Sequence, residues 1–297
     1  MQSRVENVRD EAYNLFRENN LEGMRSFIQK NPHLLNTKYD GHSTLLHTAC
    51  ENDQAAMAEL LLTLGANVNV LRDCSDRSST PLLWNIDKIG LDTVKVLIHH
   101  KANLDLGGPL YGAYCAASKK NNDVVEELIK AGSRERGDKV FQYAVIDGNE
   151  KLVALFIDHY FSVNAKDNED KSLLSWAAGN SGNEQHYRIA QKLLSFKADV
   201  NAKDVWGRTP LFGAVSSAFR SHPLINLATL YLDHGAKIDS RDNRGTTPLL
   251  YAAEHAELSM VKLLVERASQ SAITLDHRDI DSENLLHYAA KNHHNDV

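Results

Sequence analysis

A chain of 297 residues, 42% of them hydrophobic, can bury a sizeable core, either as two globular domains or as one repeat array. A formal net charge of −6 argues against nucleic acid or an anionic membrane as the main partner, and no apolar run approaches the roughly 20 residues of a membrane span. The N-terminus, Met1-Gln2-Ser3-Arg4-Val5-Glu6, lacks a secretory apolar region, and Cys50, Cys74 and Cys115 form no Cys-x-x-Cys pair, which together favour a cytoplasmic, reducing compartment.

The chain opens with a pair of helices over Glu11–Gln29. Ala12, Leu15 and Phe16 form one apolar face, Leu21, Met24, Phe27 and Ile28 the next, and Asn31-Pro32 ends the second helix. The charged outer face (Glu6, Arg9, Asp10, Glu11, Arg17) suits a terminal unit on which nothing stacks, so residues 5–40 read as a cap. From about Gly41 a unit recurs. Its clearest copy is Asp199–Ala214. Asp-Val-Asn-Ala-Lys is extended, Asp204-Val205-Trp206-Gly207 is a tight turn with Gly207 free to take positive φ, and Thr209-Pro210 caps and starts a helix. A second apolar helix, Leu224–Leu232, turns at Gly235.

Aligned on the threonine, copies start at Asp10, Thr44, Thr80, Tyr111, Lys139, Ser172, Thr209, Thr247 and Asn284, spaced about 28 to about 38 residues apart. Residues 41–283 hold the second to eighth copies. The third carries Asn85 where a small residue is expected, which requires a hydrogen-bond partner. The fourth and fifth are the least regular, since Leu104–Leu110 is apolar where a polar hairpin belongs and Arg134–Asp138 is too short for one. The sixth and seventh carry insertions, Gly179–His186 and Phe219–Pro223, expected to project from the surface. Residues 284–297 read as a truncated ninth copy, with one helix at Leu285–Asn292.

Thr80-Pro81-Leu82-Leu83, Thr209-Pro210-Leu211-Phe212 and Thr247-Pro248-Leu249-Leu250 carry a family resemblance. So do Thr44-Leu45-Leu46-His47-Thr48-Ala49 and the closing turns Leu64–Asn69, Lys197–Asn201 and His234–Asp239. Over nearly its whole length the chain resembles the ankyrin-repeat family. The resemblance implies an all-α solenoid of about nine helix-turn-helix registers with short β-hairpin fingers. It also implies a scaffold that binds a protein partner along the concave surface of fingers and inner helices, as a monomer. The alternative is the targeting region of a larger enzyme or effector whose catalytic part lies C-terminal, in the style of an ankyrin-containing effector that an intracellular bacterium delivers into a host cytosol.

No catalytic residue is expected. The chain has no Gly-x-x-x-x-Gly-Lys loop, no His-Glu-x-x-His and no Gly-x-Ser-x-Gly, and Cys115 reads as a small core residue. No metal or cofactor is expected either. His99-His100 and His293-His294 are neighbours about 100° apart on a helix, and Asp279, Asp281 and Glu283 lack the glycine and spacing of a calcium loop. His47 and His287 occupy the motif's histidine, where the resemblance implies a hydrogen bond between loops. Asn69, Asn164 and Asn201 occupy its turn asparagine, which resembling animal-cell repeats present to an asparaginyl hydroxylase and which otherwise is a structural turn residue. Trp84, Tyr143, Trp176, Tyr251 and Tyr288 follow the histidine slot and read as packing.

Trp206 differs, because a hairpin tip has no core to fill. Two readings stand: a binding anchor beside Arg208, or a tip that packs on the neighbouring finger. The candidate partner-binding residues are Trp206, Arg208, Arg244, His255, Val205 and Ser217.

Overall fold

The structure, a computed structural model, describes residues 2–38, 42–72, 79–84, 86–116, 122–179, 184–215, 225–254, 258–271 and 278–291. Seventeen α-helices and one short 3₁₀ turn lie among them. They divide into two compact units, residues 1–140 and 141–297, each described by itself.

In the first unit, α1 (Gln2–Arg17) and α2 (Leu21–Lys30) form the opening pair. α1 begins well before Glu11, at Gln2, and Val8, Ala12 and Phe16 follow one another on one face at helical spacing. Asn20 caps α2 by accepting from the Gly23 amide, and a 3₁₀ turn at Pro32–Leu34 follows. Then come α3 (Leu45–Glu51), α4 (Ala55–Thr63), α5 (Pro81–Trp84), α6 (Leu91–His99), α7 (Pro109–Ala116) and α8 (Asn122–Lys130). Prolines open α5 and α7 at positions where a missing N–H costs nothing. His47 is fully buried at the head of α3. Its Nδ1 accepts from the Thr44 amide at 3.3 Å, which leaves Nε2–H to donate to the Ser79 carbonyl at 3.1 Å and join one repeat to the next.

Turn side chains join successive repeats of this unit. Asn36 donates to the Gly65 carbonyl and accepts from the Asn67 amide; Asn69 does the same with the Lys101 carbonyl and the Asn103 amide. At the shortened fourth register Asp105 takes over, accepting from the Arg134 and Glu135 amides at 2.7 and 3.0 Å. Glu135 in turn accepts from the Gly108 amide, and α9 (Gly137–Ile146) starts at once, after Arg136 at φ 56°. The full hairpin judged too short to form is thus replaced by carboxylate links.

Cys115 is exposed, against the core reading. The buried face of α7 is set by Leu110 and Ala113, and Cys115 lies about 200° round the helix from Ala113. Cys50 is buried, and burial pushes its thiol far above the ordinary range. Asn85, Cys74 and the insertion Phe219–Pro223 lie outside the described residues.

The second unit holds α10 (Glu150–Asp158), α11 (Leu173–Gly179), α12 (Glu184–Ser195), α13 (Pro210–Val215), α14 (Ile225–Asp233), α15 (Pro248–Glu254), α16 (Leu258–Gln270) and α17 (Leu285–Lys291). The first motif leucines of α11, α13 and α15 (Leu174, Leu211 and Leu249) are at most 3% exposed, whereas Leu286 of α17 is 72% exposed; truncating one of the buried three costs about 2–5 kcal/mol. Tyr231 on α14 is wholly buried and donates to the Leu174 carbonyl at 2.7 Å; burial holds its phenol far above the ordinary range. His186, the last residue of the sixth-repeat insertion, does not project. It is buried and donates to the Ile146 carbonyl at 3.1 Å; of the rest of the insertion, Gly179, Glu184 and Gln185 are exposed at the ends of α11 and α12, and residues 180–183 lie outside the described part.

Candidate protein interface

Four consecutive turns of the second unit share one geometry, built on Asp167, Asp204, Asp242 and Asp279. Each aspartate accepts through Oδ1 from the amides two and four residues on. For Asp204 these are Trp206 at 3.0 Å and Arg208 at 2.8 Å; for Asp242 they are Arg244 and Thr246, both at 2.9 Å. Each aspartate amide also donates to the carbonyl four residues on, as from Asp204 to Arg208 and from Asp242 to Thr246. A carboxylate and one backbone bond therefore close each finger. Among the described residues no strand longer than an isolated bridge forms; the bridges are Arg72 with Ser79 and Lys166 with Ser172. The residue three past each aspartate has positive φ: Asp170, Gly207, Gly245 and Ser282.

The fingers are also bonded to one another. Val205 N–H donates to the Glu169 carbonyl, Asn243 N–H to the Trp206 carbonyl and Ile280 N–H to the Arg244 carbonyl, at 2.8–3.0 Å. This close approach explains Gly207. A Cβ there would lie 2.5 Å from Asn243 Oδ1 and 3.0 Å from its backbone nitrogen. The residue before each aspartate is basic, and three of these side chains reach the next finger. Lys166 Nζ donates to the Lys203 carbonyl, Lys203 Nζ to the Arg241 carbonyl and Arg241 Nη1 to the Arg278 carbonyl, at 2.7–2.9 Å. The turn asparagines link the other edge. Asn164 accepts from the Asp199 amide, and Asn201 accepts from the Lys237 amide while donating to the Gly235 carbonyl.

Trp206 sits on this row with 43% of its surface exposed, and Val205 beside it with 47%. The Arg208 guanidinium lies over the indole, 4.6 Å from its centroid, and pairs with Asp204 Oδ2 at 3.3 Å. The Trp206 backbone is held on both sides, by Asp204 and by Asn243. Arg244 occupies the same position on the next finger and is exposed. Trp206, Val205, Arg208 and Arg244 thus fall on two adjacent fingers. His255 and Ser217 lie outside the described residues.

Sequence reasoning passed over the neighbour of this cluster. Trp176 is half-buried, donates its indole N–H to Asp167 Oδ2 at 2.9 Å and carries Lys171 Nζ 3.6 Å above its ring. Burial lowers the Lys171 ammonium from its ordinary range; Asp167 opposes the shift and nearby Arg208 adds to it. The signal was present in the sequence as a cation four residues after each of the first two finger aspartates. The aromatic slot as a whole packs less fully than expected: Trp84, Tyr143, Trp176 and Tyr251 are half-buried, and only Tyr288 is buried. Tyr288 donates to Asp279 at 2.8 Å, and burial raises its phenol to about 12.

Elsewhere in this unit a cavity of about 280 Å³ lies between α10 and α12, but Arg188 spans it to Glu150 and is paired with Glu184 as well. Tyr160 and Phe196 are exposed at successive turns after α10 and α12. Among the described residues no cluster of three or more His, Cys, Asp or Glu could hold a metal, and no helix is long and apolar enough to cross a membrane.

The family described as "Ankyrin repeats (3 copies)" matches residues 13–107, 113–204, 181–274 and 211–297. An ankyrin repeat protein of Fowlpox virus is 27% identical over 264 residues, 82% of this chain and 36% of that protein. An ankyrin repeat protein of Rickettsia bellii is 26% identical over 162 residues, 54% of this chain and 45% of that one. Human neurogenic locus notch homolog protein 2 is 36% identical over 101 residues, 34% of this chain and 4% of its own length. The chain thus spans less than half the length of each of these relatives.

Proposed function

We propose, from the premise that the chain belongs to the ankyrin-repeat family, that it is a protein-recognition scaffold whose contact surface is the finger row of the second unit, centred on Trp206. The observation that carries this reading is a large apolar ring left 43% exposed on a backbone hydrogen-bonded to Asp204 of its own finger and to Asn243 of the next. An anchor already fixed in place loses little freedom on binding, and Trp and Arg anchors dominate interfaces. Val205, Arg208 and Arg244 surround it, and His255 and Ser217, outside the described residues, are proposed as further contact residues. The scaffold works in the cytoplasm as a monomer, without catalysis of its own.

The test is a pull-down from cytosolic extract, quantified for the wild-type chain and for Trp206→Ala. Binding to Trp206→Ala should fall at least about thirtyfold, which corresponds to roughly 2 kcal/mol, with the melting temperature unchanged. Unchanged capture refutes the site. A collapsed melting temperature would make Trp206 a packing residue.

A second reading is favoured by the greater length of the relatives. In it these repeats are the targeting region of a larger enzyme or effector, and the full-length gene sequence decides it.

A further inference from the structure

The two middle fingers, residues 203–208 and 241–246, differ from their neighbours in charge. They carry four cations, Lys203, Arg208, Arg241 and Arg244, against two carboxylates, Asp204 and Asp242. Both carboxylates already accept two backbone N–H groups each. Among the described residues, Arg208 alone of these cations has a carboxylate partner, Asp204. Lys203 and Arg241 each donate to a backbone carbonyl, which orients the side chain without neutralising it. A lysine has three donors and an arginine five, so both keep N–H groups to offer. Arg244 is exposed, and among the described residues its side chain has no hydrogen-bond partner. The flanking fingers reverse the sign at their exposed tips, with Glu169 and Asp170 on one side and Asp281 on the other. The basic zone is therefore two fingers wide, and the exposed rings and methyls of Trp206 and Val205 lie inside it.

We infer that the partner segment recognised here is acidic: an extended stretch in which an apolar residue seats on Trp206 and Val205 while aspartate or glutamate side chains within about three residues of it meet Arg244, Arg241 and Lys203. This rests on the finger row being the binding surface. The acidic flanks favour a short acidic peptide over a nucleic acid, whose evenly spaced phosphates would be repelled by Glu169 and Asp281.

The experiment is a display selection of random linear peptides against the full chain, followed by titration of the selected peptides and of single-stranded oligothymidylate. Enriched peptides should carry aspartate or glutamate beside an aromatic or aliphatic residue. They should bind Arg244→Glu about tenfold or more weakly and recover on Arg244→Lys, and weaken as salt rises from about 50 to about 500 mM. If the enriched peptides depend on Trp206 but are neutral or basic, the acidic inference fails while the finger surface stands. If no selected peptide loses affinity for Trp206→Ala, or none is selected, both fail. Oligothymidylate binding as tight as the peptides', lost with Arg244→Glu, would replace the acidic peptide with a nucleic acid.

Discussion

The finger row at 166–283 and the shortened link at 104–137 solve one problem in two ways. In the second unit the tips of the second, third and fourth fingers each give a backbone N–H to the carbonyl of the finger before, and the side chains of Val205, Trp206 and Arg244 stay exposed. In the first unit the chain is too short for a finger, and the carboxylates of Asp105 and Glu135 bind backbone amides instead. Linking through the backbone of the tips leaves the tip side chains available for contact; linking through Asp105 and Glu135 uses those side chains up. That difference, rather than the number of repeats, is why Trp206 and Arg244 stand exposed at the tips of the second region.

The sharpest way to break the comparison is Gly207→Ala. Its φ of 80° costs roughly 1–2 kcal/mol for any other residue, and the new methyl meets Asn243 on the next finger. Urea unfolding should show a loss of about 2–3 kcal/mol. Gly235→Ala is the control, with φ 87° and nothing within 4 Å of its Cβ, and should lose only about 1 kcal/mol. Equal losses would mean that finger-to-finger contact adds no constraint.

Asp105 sharpens the other side. Asp105→Ala leaves the Arg134 and Glu135 amides without their acceptor and should cost about 1–2 kcal/mol. Asp105→Asn restores the turn residue used at 36, 69, 164 and 201 and should stay within about 0.5 kcal/mol of wild type. A large loss with Asn would show that charge, not the acceptor oxygen, holds the link. The smallest effect is expected at Lys101, which adopts φ 66° at the turn where Gly65 and Gly132 sit. Lys101→Gly should stabilise the first unit by about 0.5–1 kcal/mol in the same unfolding assay.

The repeat frame was legible because Thr-Pro-Leu and Gly-Ala recur in phase, and each encodes a helix start or a left-handed turn locally. Trp206 was legible as a tip residue from Gly207 beside it. What joins the tips was not legible. The same Asp204 that reads as a turn former also closes the finger on the Trp206 and Arg208 amides, and the basic residue before it reads as solvated surface until the next carbonyl is placed against it. Cys115 was misread for a related reason: the apolar pattern of α7 is dense all round, so periodicity does not mark the face that Leu110 and Ala113 bury. The charged stretch before Glu11 hid the start of α1, since charged residues do not by themselves stop a helix.

Amide hydrogen exchange at four equivalent tip residues tests the linked row most directly. Val205, Asn243 and Ile280 donate to a preceding finger, whereas among the described residues the amide of Asn168, at the same position on the first finger, has no such acceptor. The account predicts slow exchange at the first three and fast exchange at Asn168. Equal rates at all four would contradict it, because the fingers would then be separate loops and Trp206 would not be held in place for a partner.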